Sequence, residues 1–441
     1  MHILFISEYY PPIIMGGGEI NLATLANALS QTNDTKVSIL TSSAPNLPEI
    51  ENPLDYPNLT IYRRLNTGSS PSSFLGNISR FLFLKHSIIT QTKKILNEQS
   101  SSIPKIDILH FIGGTIIAAP ELKQHLNNTK QDINLFATIE SYPTLCPKGD
   151  RWYKQQQPCT IKCTLPKFLT CQSQCTEIGK MKNAWYLKYN PFFLLLTYHY
   201  YHQRNTALSH CHLIAISKYV QNILQQQSHQ STIIPNILNT TPFEQAKKQH
   251  EQTKKETKTK EQQHQSPLKL LYLGSLIESK GPHIMLQALK DIPSTSYHLD
   301  LYGNGIMKPQ LQQDITQYNL NATIHSPVPY QQISQLYTNT DIILFPSIWP
   351  EPFGRIPIEA HAAGKIVIAS NIGAIPETVT PQDILIPQND PHTLKVTLKQ
   401  IINNKSHNLF KQQSKKTIQE QEYHPNTIIT QLKKLYKQKK T

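Results

Sequence analysis

The same grammar of short apolar runs and helical repeats is written twice along this chain. His2-Ile3-Leu4-Phe5-Ile6-Ser7 is an unbroken apolar run, the pattern of a strand buried on both faces of a parallel sheet. Gly16-Gly17-Gly18 follows, and then Ile20, Leu22, Ala23, Leu25, Ala26 and Leu29 recur at helical spacing. Lys36 to Thr41 reads as a second strand, so the first forty residues predict a βαβ unit. Further strands are expected at 59–62, 106–111, 134–139 and 212–217. Helices are expected over 74–96, over the aromatic stretch 183–208, and from Lys218. Such alternation predicts a doubly wound α/β domain over residues 1–240.

Composition then changes. From Glu244 to Gln265 nearly every residue is Gln, Lys, Glu, Thr or His, with Ala246 the sole apolar side chain. Such a segment buries too little surface to offset its ordering entropy, so 241–267 is expected to be an exposed linker, flexible or loosely helical. Beyond it the grammar restarts. Strands are predicted at 268–274, 297–303, 322–325, 341–346 and 366–369, with helices between them, giving a second doubly wound domain over 268–410. Residues 411–441 are expected to form a C-terminal helix that packs back on the first domain. Two such domains would face a cleft, each offering the carboxyl ends of its strands to ligand.

The chain has 441 residues, ample for two cores, and a formal net charge of +14. That excess favours phosphate-bearing partners. No run approaches the length that spans a bilayer, and Met1 leads directly into a strand rather than a secretory leader, so the expected location is cytoplasmic. Binding of nucleic acid, suggested by charge alone, is disfavoured because no recognition module is present.

The most informative stretch runs from Trp349 to Gly364. Two carboxylates stand at Glu351 and Glu359, the first in a loop and the second one turn inside a helix. Backbone amides of Gly354, Arg355 and Ile356, just past Phe353, would lie at the helix N-terminus, where unpaired donors and the macrodipole favour phosphate. Glu359 is then placed to accept from ribose hydroxyls, and Glu351 to reach the group beyond the diphosphate.

This run, Glu351-Pro-Phe-Gly-Arg-Ile-Pro-Ile-Glu359-Ala, resembles the E-x7-E signature of family 4 retaining glycosyltransferases of GT-B fold, the glycosyl transferases group 1. Leu273-Gly274-Ser275-Leu276 through Ser279-Lys280-Gly281, Tyr302-Gly303-Asn304-Gly305, Gly373-Ala374-Ile375-Pro376-Glu377 and, near the start, Tyr10-Pro11-Pro12 with Gly17-Gly18-Glu19 continue the likeness. The resemblance implies transfer of a sugar from a UDP-, GDP- or ADP-sugar to a hydroxyl of a glycan or lipid-linked acceptor, with retention at the anomeric carbon. It implies that Lys280 neutralises the diphosphate, that Gly274 and Ser275 line the donor site, and that Gly17 and Gly18 let backbone approach the diphosphate. It also implies that His110 lies near the acceptor. The family commonly has Arg after the strand glycine, where this chain has Ser275, so Arg355 is a second candidate cation. Where relatives commonly read His-Asp, this chain has Ile139-Glu140, making Glu140 the candidate acceptor-side acid. No Asp-x-Asp pair is present, so a metal-independent transfer is expected. A GT-B epimerase is the rival enzyme, disfavoured by Pro352-Phe353-Gly354 between the glutamates.

Five of six cysteines fall within 146–175. Clustered thiols in a cytosolic chain point to metal more than to disulfides. Cys159, Cys163, Cys171 and Cys175, or Cys146 in place of one, are candidate ligands of a structural zinc, with unliganded thiols as the alternative. The aromatic helix within 183–208, the basic segment 74–94 and the Lys-rich tail make an anionic membrane surface a candidate partner.

Overall fold

The computed structural model describes residues 1–44, 46–67, 80–98, 104–153, 157–159, 162–173, 190–256, 267–403 and 420–438. It divides into two compact units, Met1–Leu238 with Pro425–Thr441, and Asn239–His424.

In the first unit β1 (His2–Ile6), α1 (Gly17–Ser30), β2 (Lys36–Ser42), β3 (Ile50–Glu51), β4 (Leu59–Leu65), α2 (Lys85–Asn97), β5 (Ile108–Ile112), α3 (Ala119–Asn128) and β6 (Asn134–Ile139) come first. The short hairpin β7 (Trp152–Tyr153) and β8 (Gln157–Pro158) follows, then α4 (Leu165–Ser173), α5 (Pro191–Ala207), β9 (His212–Ala215), α6 (Lys218–Gln226) and β10 (Ser231–Ile233). Eight strands form one sheet in the order β10-β9-β6-β5-β1-β2-β4-β3, parallel except for β3 against β4. Every residue of the central strands β1 and β5 is buried, as their continuous apolar runs require. Toward the edge, β4 alternates buried with half-buried residues.

The second unit contains α7 (Thr241–Glu256), β11 (Leu268–Leu273), α8 (Pro282–Leu289), β12 (Tyr297–Tyr302), α9 (Lys308–Gln317), β13 (Ala322–His325), α10 (Tyr330–Thr338) and β14 (Ile342–Phe345). It continues with α11 (Arg355–Ala362), β15 (Ile366–Ser370), β16 (Ile384–Ile386), α12 (Pro391–Asn403) and the short α13 (Glu420–Tyr423). Its six parallel strands run β13-β12-β11-β14-β15-β16. Counted from the unit's own first strand, this is the doubly wound order that reverses beside strand one, between β11 and β14. The chain then returns to the first unit as α14 (Pro425–Gln438), whose Ile428, Ile429, Leu432, Leu435 and Tyr436 join that unit's core. Each large side chain buried in this way contributes about 1.5–3 kcal/mol.

Within the predicted linker, the structure adds packing that the polar composition did not suggest. Residues 241–256 form α7, which packs against α10 and α11 through a fully buried Phe243. Phe243 sits edge-on to Tyr337 at 5.4 Å and Tyr330 at 6.4 Å between ring centroids. The end of the Lys247 side chain lies against Gly364. One aromatic anchor suffices where the pattern of apolar residues gave no sign of a helix face. Residues 257–266 and 411–419, also named in the sequence reading, lie outside the described residues, as do 68–79 and 174–189. Strands β3, β10 and β16 went unpredicted because each is only two or three residues long at or near a sheet edge.

Candidate functional site

The strand order reverses between β11 and β14, where ligands of such sheets bind, and the loops leaving these two strands carry the candidate residues. After β11 the chain passes Gly274 and Ser275, whose carbonyl accepts a hydrogen bond from the Tyr272 hydroxyl at 2.8 Å. It then reaches Lys280 at the end of a single 3-10 turn. Gly281 closes that turn in the left-handed region at φ +70°, and a Cβ there would stand 2.0 Å from the Pro346 carbonyl oxygen. Only glycine allows the Lys280 loop to press against the end of β14 this closely.

After β14 come Ser347, Trp349 and Glu351. Glu351 is 6% exposed, and one oxygen of its carboxylate has two partners. Lys280 Nζ lies 2.5 Å from Oε1, and the Ser347 hydroxyl donates to the same oxygen at 3.1 Å. The Lys280 ammonium also stands over the Trp349 ring, 4.6 Å from its centroid. Gly373, at φ +61°, holds the Glu351 backbone from below, since a Cβ would come within 2.5 Å of its nitrogen and oxygen.

Helix α11 begins at Arg355 with Gly354 as its cap, so the expected amide-lined N-terminus is present directly after Glu351 and Phe353. Phe353 is buried edge-on to Tyr423 at 5.7 Å. Ile356, half-buried, completes the first turn. One turn further in, Glu359 is 5% exposed and accepts from the Tyr330 hydroxyl at 3.0 Å, the Tyr337 hydroxyl at 3.1 Å and Arg355 Nη2 at 3.3 Å. Burial first, and the Glu359 carboxylate second, hold both phenols above their ordinary pKa, so both remain donors. Arg355 also donates to the Tyr330 hydroxyl at 3.0 Å and lies over that ring. The guanidinium expected to help with a diphosphate is therefore committed to the Glu359 cluster.

The remaining predicted residues lie in the first unit. Gly17 and Gly18 open α1, and the Glu140 carboxylate stands over Gly18 while accepting from Asn21 Nδ2 at 2.8 Å. His110 is 1% exposed on β5, with Nδ1 2.5 Å from the Tyr436 hydroxyl and Nε2 2.8 Å from the Thr138 hydroxyl. Burial pushes its pKa down to about 3. Both ring nitrogens are engaged, and the ring lines a small cavity shared with Asn21, Thr138 and Glu140. Cys146, Cys159, Cys163 and Cys171 line one small cavity, whereas Cys175 lies outside the described residues. Among the described residues no helix is long and apolar enough to cross a membrane. On α5, Tyr200 and Tyr201 turn into the core, while Phe192 and Leu195 are exposed.

Sequence reasoning missed Ser347, Trp349, Tyr330 and Tyr337. The two tyrosines carried a signal: seven apart on a helix, they share a face. Ser347 carried none, because its value lies wholly in its proximity to Glu351.

Residues 253–420 match the family described as Glycosyl transferases group 1. Over 122 residues the chain is 34% identical to spore coat protein SA of Bacillus subtilis, covering 25% of this chain and 32% of that protein. Over 135 residues it is 26% identical to a D-inositol 3-phosphate glycosyltransferase of Corynebacterium kroppenstedtii, covering 28% and 30%. The matched region spans about a third of the length of these curated relatives. Among solved structures, sucrose-phosphate synthase from Thermosynechococcus elongatus superposes with a TM-score of 0.69 at 19% identity, over 99% of this chain and 98% of that one. Anabaena HepE in complex with UDP-glucose gives 0.62 at 16% identity, over 99% and 100%. The architecture is therefore that of the GT-B fold.

Proposed function

Because residues 253–420 belong to glycosyl transferases group 1, we propose that the protein moves a sugar from a nucleotide-sugar to an acceptor hydroxyl with retention of anomeric configuration. One observation carries this reading: the Lys280–Glu351 pair lies where the β11 and β14 loops meet, immediately before the N-terminus of α11. A diphosphate seated on that helix end would meet unpaired amides and the Lys280 ammonium together. Glu359, held by two phenols and Arg355, retains lone pairs for ribose hydroxyls. Glu351 faces the sugar. The chemistry of UDP-glucose bound by HepE, a protein of the same fold, supports a nucleotide-sugar as the donor class.

In the transfer, the bond from the anomeric carbon to the phosphate oxygen breaks and its electron pair stays on the phosphate. The acceptor oxygen bonds to that carbon, and its proton passes to the departing phosphate. Charge grows on the phosphate as the bond lengthens, so fixed donors aimed at that oxygen lower the barrier. Lys280 is held ready by Glu351 and Trp349, and a bound diphosphate would draw it away from the glutamate. A lipid-linked acceptor would bring the enzyme to a membrane surface. Phe192, Leu195 and the +14 charge support that finer reading.

The test is a thermal-shift panel of UDP-, GDP- and ADP-sugars on the full chain, followed by NMR of the product's anomeric linkage. One donor is expected to raise Tm, and Glu351→Ala and Glu359→Ala should each abolish that rise. An unchanged rise in both variants would remove the site assignment, and an inverted linkage the retaining mechanism.

A further inference from the structure

The sequence named Cys159, Cys163, Cys171 and Cys175 with Cys146 as a substitute, and among the described residues the fold gathers the set that contains Cys146. Cys146 follows the 3-10 turn at Tyr142–Thr144, Cys159 ends the hairpin, Cys163 precedes α4, and Cys171 lies on α4. All four line one cavity with Arg151 and Trp152, whose free volume of about 10 Å³ suits a single small atom rather than an organic ligand.

The chain turns sharply after Cys146, with Gly149 N–H donating to the Cys146 carbonyl at 3.0 Å, and the Cys146 thiol faces an Asp150 carboxylate oxygen at 4.0 Å. A buried cation in this cavity calls for negative charge. Arg151 is 1% exposed, takes the rare φ of +53°, and donates only a long 3.4 Å bond from Nη1 to the Leu145 carbonyl. Its Nε and Nη2 have no hydrogen-bond partner among the described residues. A buried guanidinium so poorly partnered is costly unless an anion shares its cavity.

We propose that Cys146, Cys159, Cys163 and Cys171 bind one zinc ion as a closed tetrathiolate site, with Arg151 as the countercharge. Four thiols plus Zn²⁺ give the tetrathiolate dianion and four protons, released to solvent. No three His, Cys, Asp or Glu side chains among the described residues are yet drawn in to metal-holding spacing. Instead Cys163 and Cys171 donate long S–H contacts to the Thr164 and Trp152 carbonyls, at 3.8 and 3.9 Å, contacts that metal binding would have to replace. The bound ion would tie the 146–151 turn, the β7–β8 hairpin and α4 together, a structural role independent of sugar transfer.

The experiment measures metal in the full chain purified under reducing conditions, then follows cobalt(II) titration after chelation. The expected result is one zinc per chain and a thiolate-to-cobalt charge-transfer band that saturates at one equivalent. Cys146→Ser and Cys163→Ser should each retain less than about a tenth of the zinc, while Cys175→Ser and Cys211→Ser retain it. Arg151→Gln should weaken zinc binding about 10–100-fold, as loss of an outer partner does. The wild-type titration does not depend on any variant folding. A chain without zinc or the cobalt band overturns the site. Zinc kept by Cys146→Ser but lost by Cys175→Ser overturns the ligand set, and iron with sulfide overturns the metal.

Discussion

Lys280 and Glu351 answer each other's charge at 2.5 Å with the glutamate nearly sealed from water, so neither can be removed without exposing the other's desolvation cost. Lys280→Ala is therefore expected to lower kcat about 10²–10³-fold and to lower Tm as well. Adding Glu351→Gln to Lys280→Ala should restore much of the Tm but none of the rate, and recovery of both would show the lysine to be merely structural. Ser275 sharpens this expectation. With Arg355 engaged by Glu359 and Tyr330, Lys280, paired with Glu351, is the cation proposed to meet the diphosphate. Ser275→Arg should accordingly tighten nucleotide-diphosphate binding, by about tenfold if it supplies 1.4 kcal/mol, as read by calorimetry.

At the scale of elements, α7 shows how a polar segment acquires a structural role. Its buried Phe243 braces Tyr337 and Tyr330, which in turn hold Glu359. Phe243→Ala should cost about 3–5 kcal/mol in urea unfolding, as large-to-small core changes do, and should also weaken donor binding. Gln252→Ala, on the exposed face of α7, should change neither. Donor binding untouched by Phe243→Ala would mean that the tyrosines keep their positions without the helix. The strand elements, by contrast, were readable from unbroken apolar runs, because strands covered on both faces tolerate no alternation. The short edge strands left too few residues for any period to appear.

For the molecule as a whole, the chain's last helix completes its first unit, where Tyr436 of α14 bonds His110 of β5 across 326 positions of sequence. That neutral, buried histidine links stability to acidity. Its folded pKa of about 3 lies below the unfolded value of about 6.5, so the unfolded state takes up the proton first. The contribution is complete above about 6.5 and is lost as pH falls toward 3, with a slope of at most about 1.4 kcal/mol per pH unit. Urea unfolding at pH 7 and pH 5 should show this loss, reduced in His110→Gln. His2, also buried with its pKa lowered, leaves a residual slope. Equal slopes in the two proteins would sink the argument.

Fold class, the two-unit organisation and the spaced glutamates were all legible along the chain, because apolar periodicity and a helix start are local properties. Two facts were not: His110 with both ring nitrogens engaged, and Arg355 as a partner of Glu359; Cys146 was named only as a substitute ligand, and its cavity shared with Cys159, Cys163 and Cys171 came from the fold. Each depends on which distant groups a side chain meets once the sheets are wound. Spacing limits what a residue can reach, whereas packing decides which partner satisfies its charge or hydrogen bond, and in these units that decision belongs to tertiary contact.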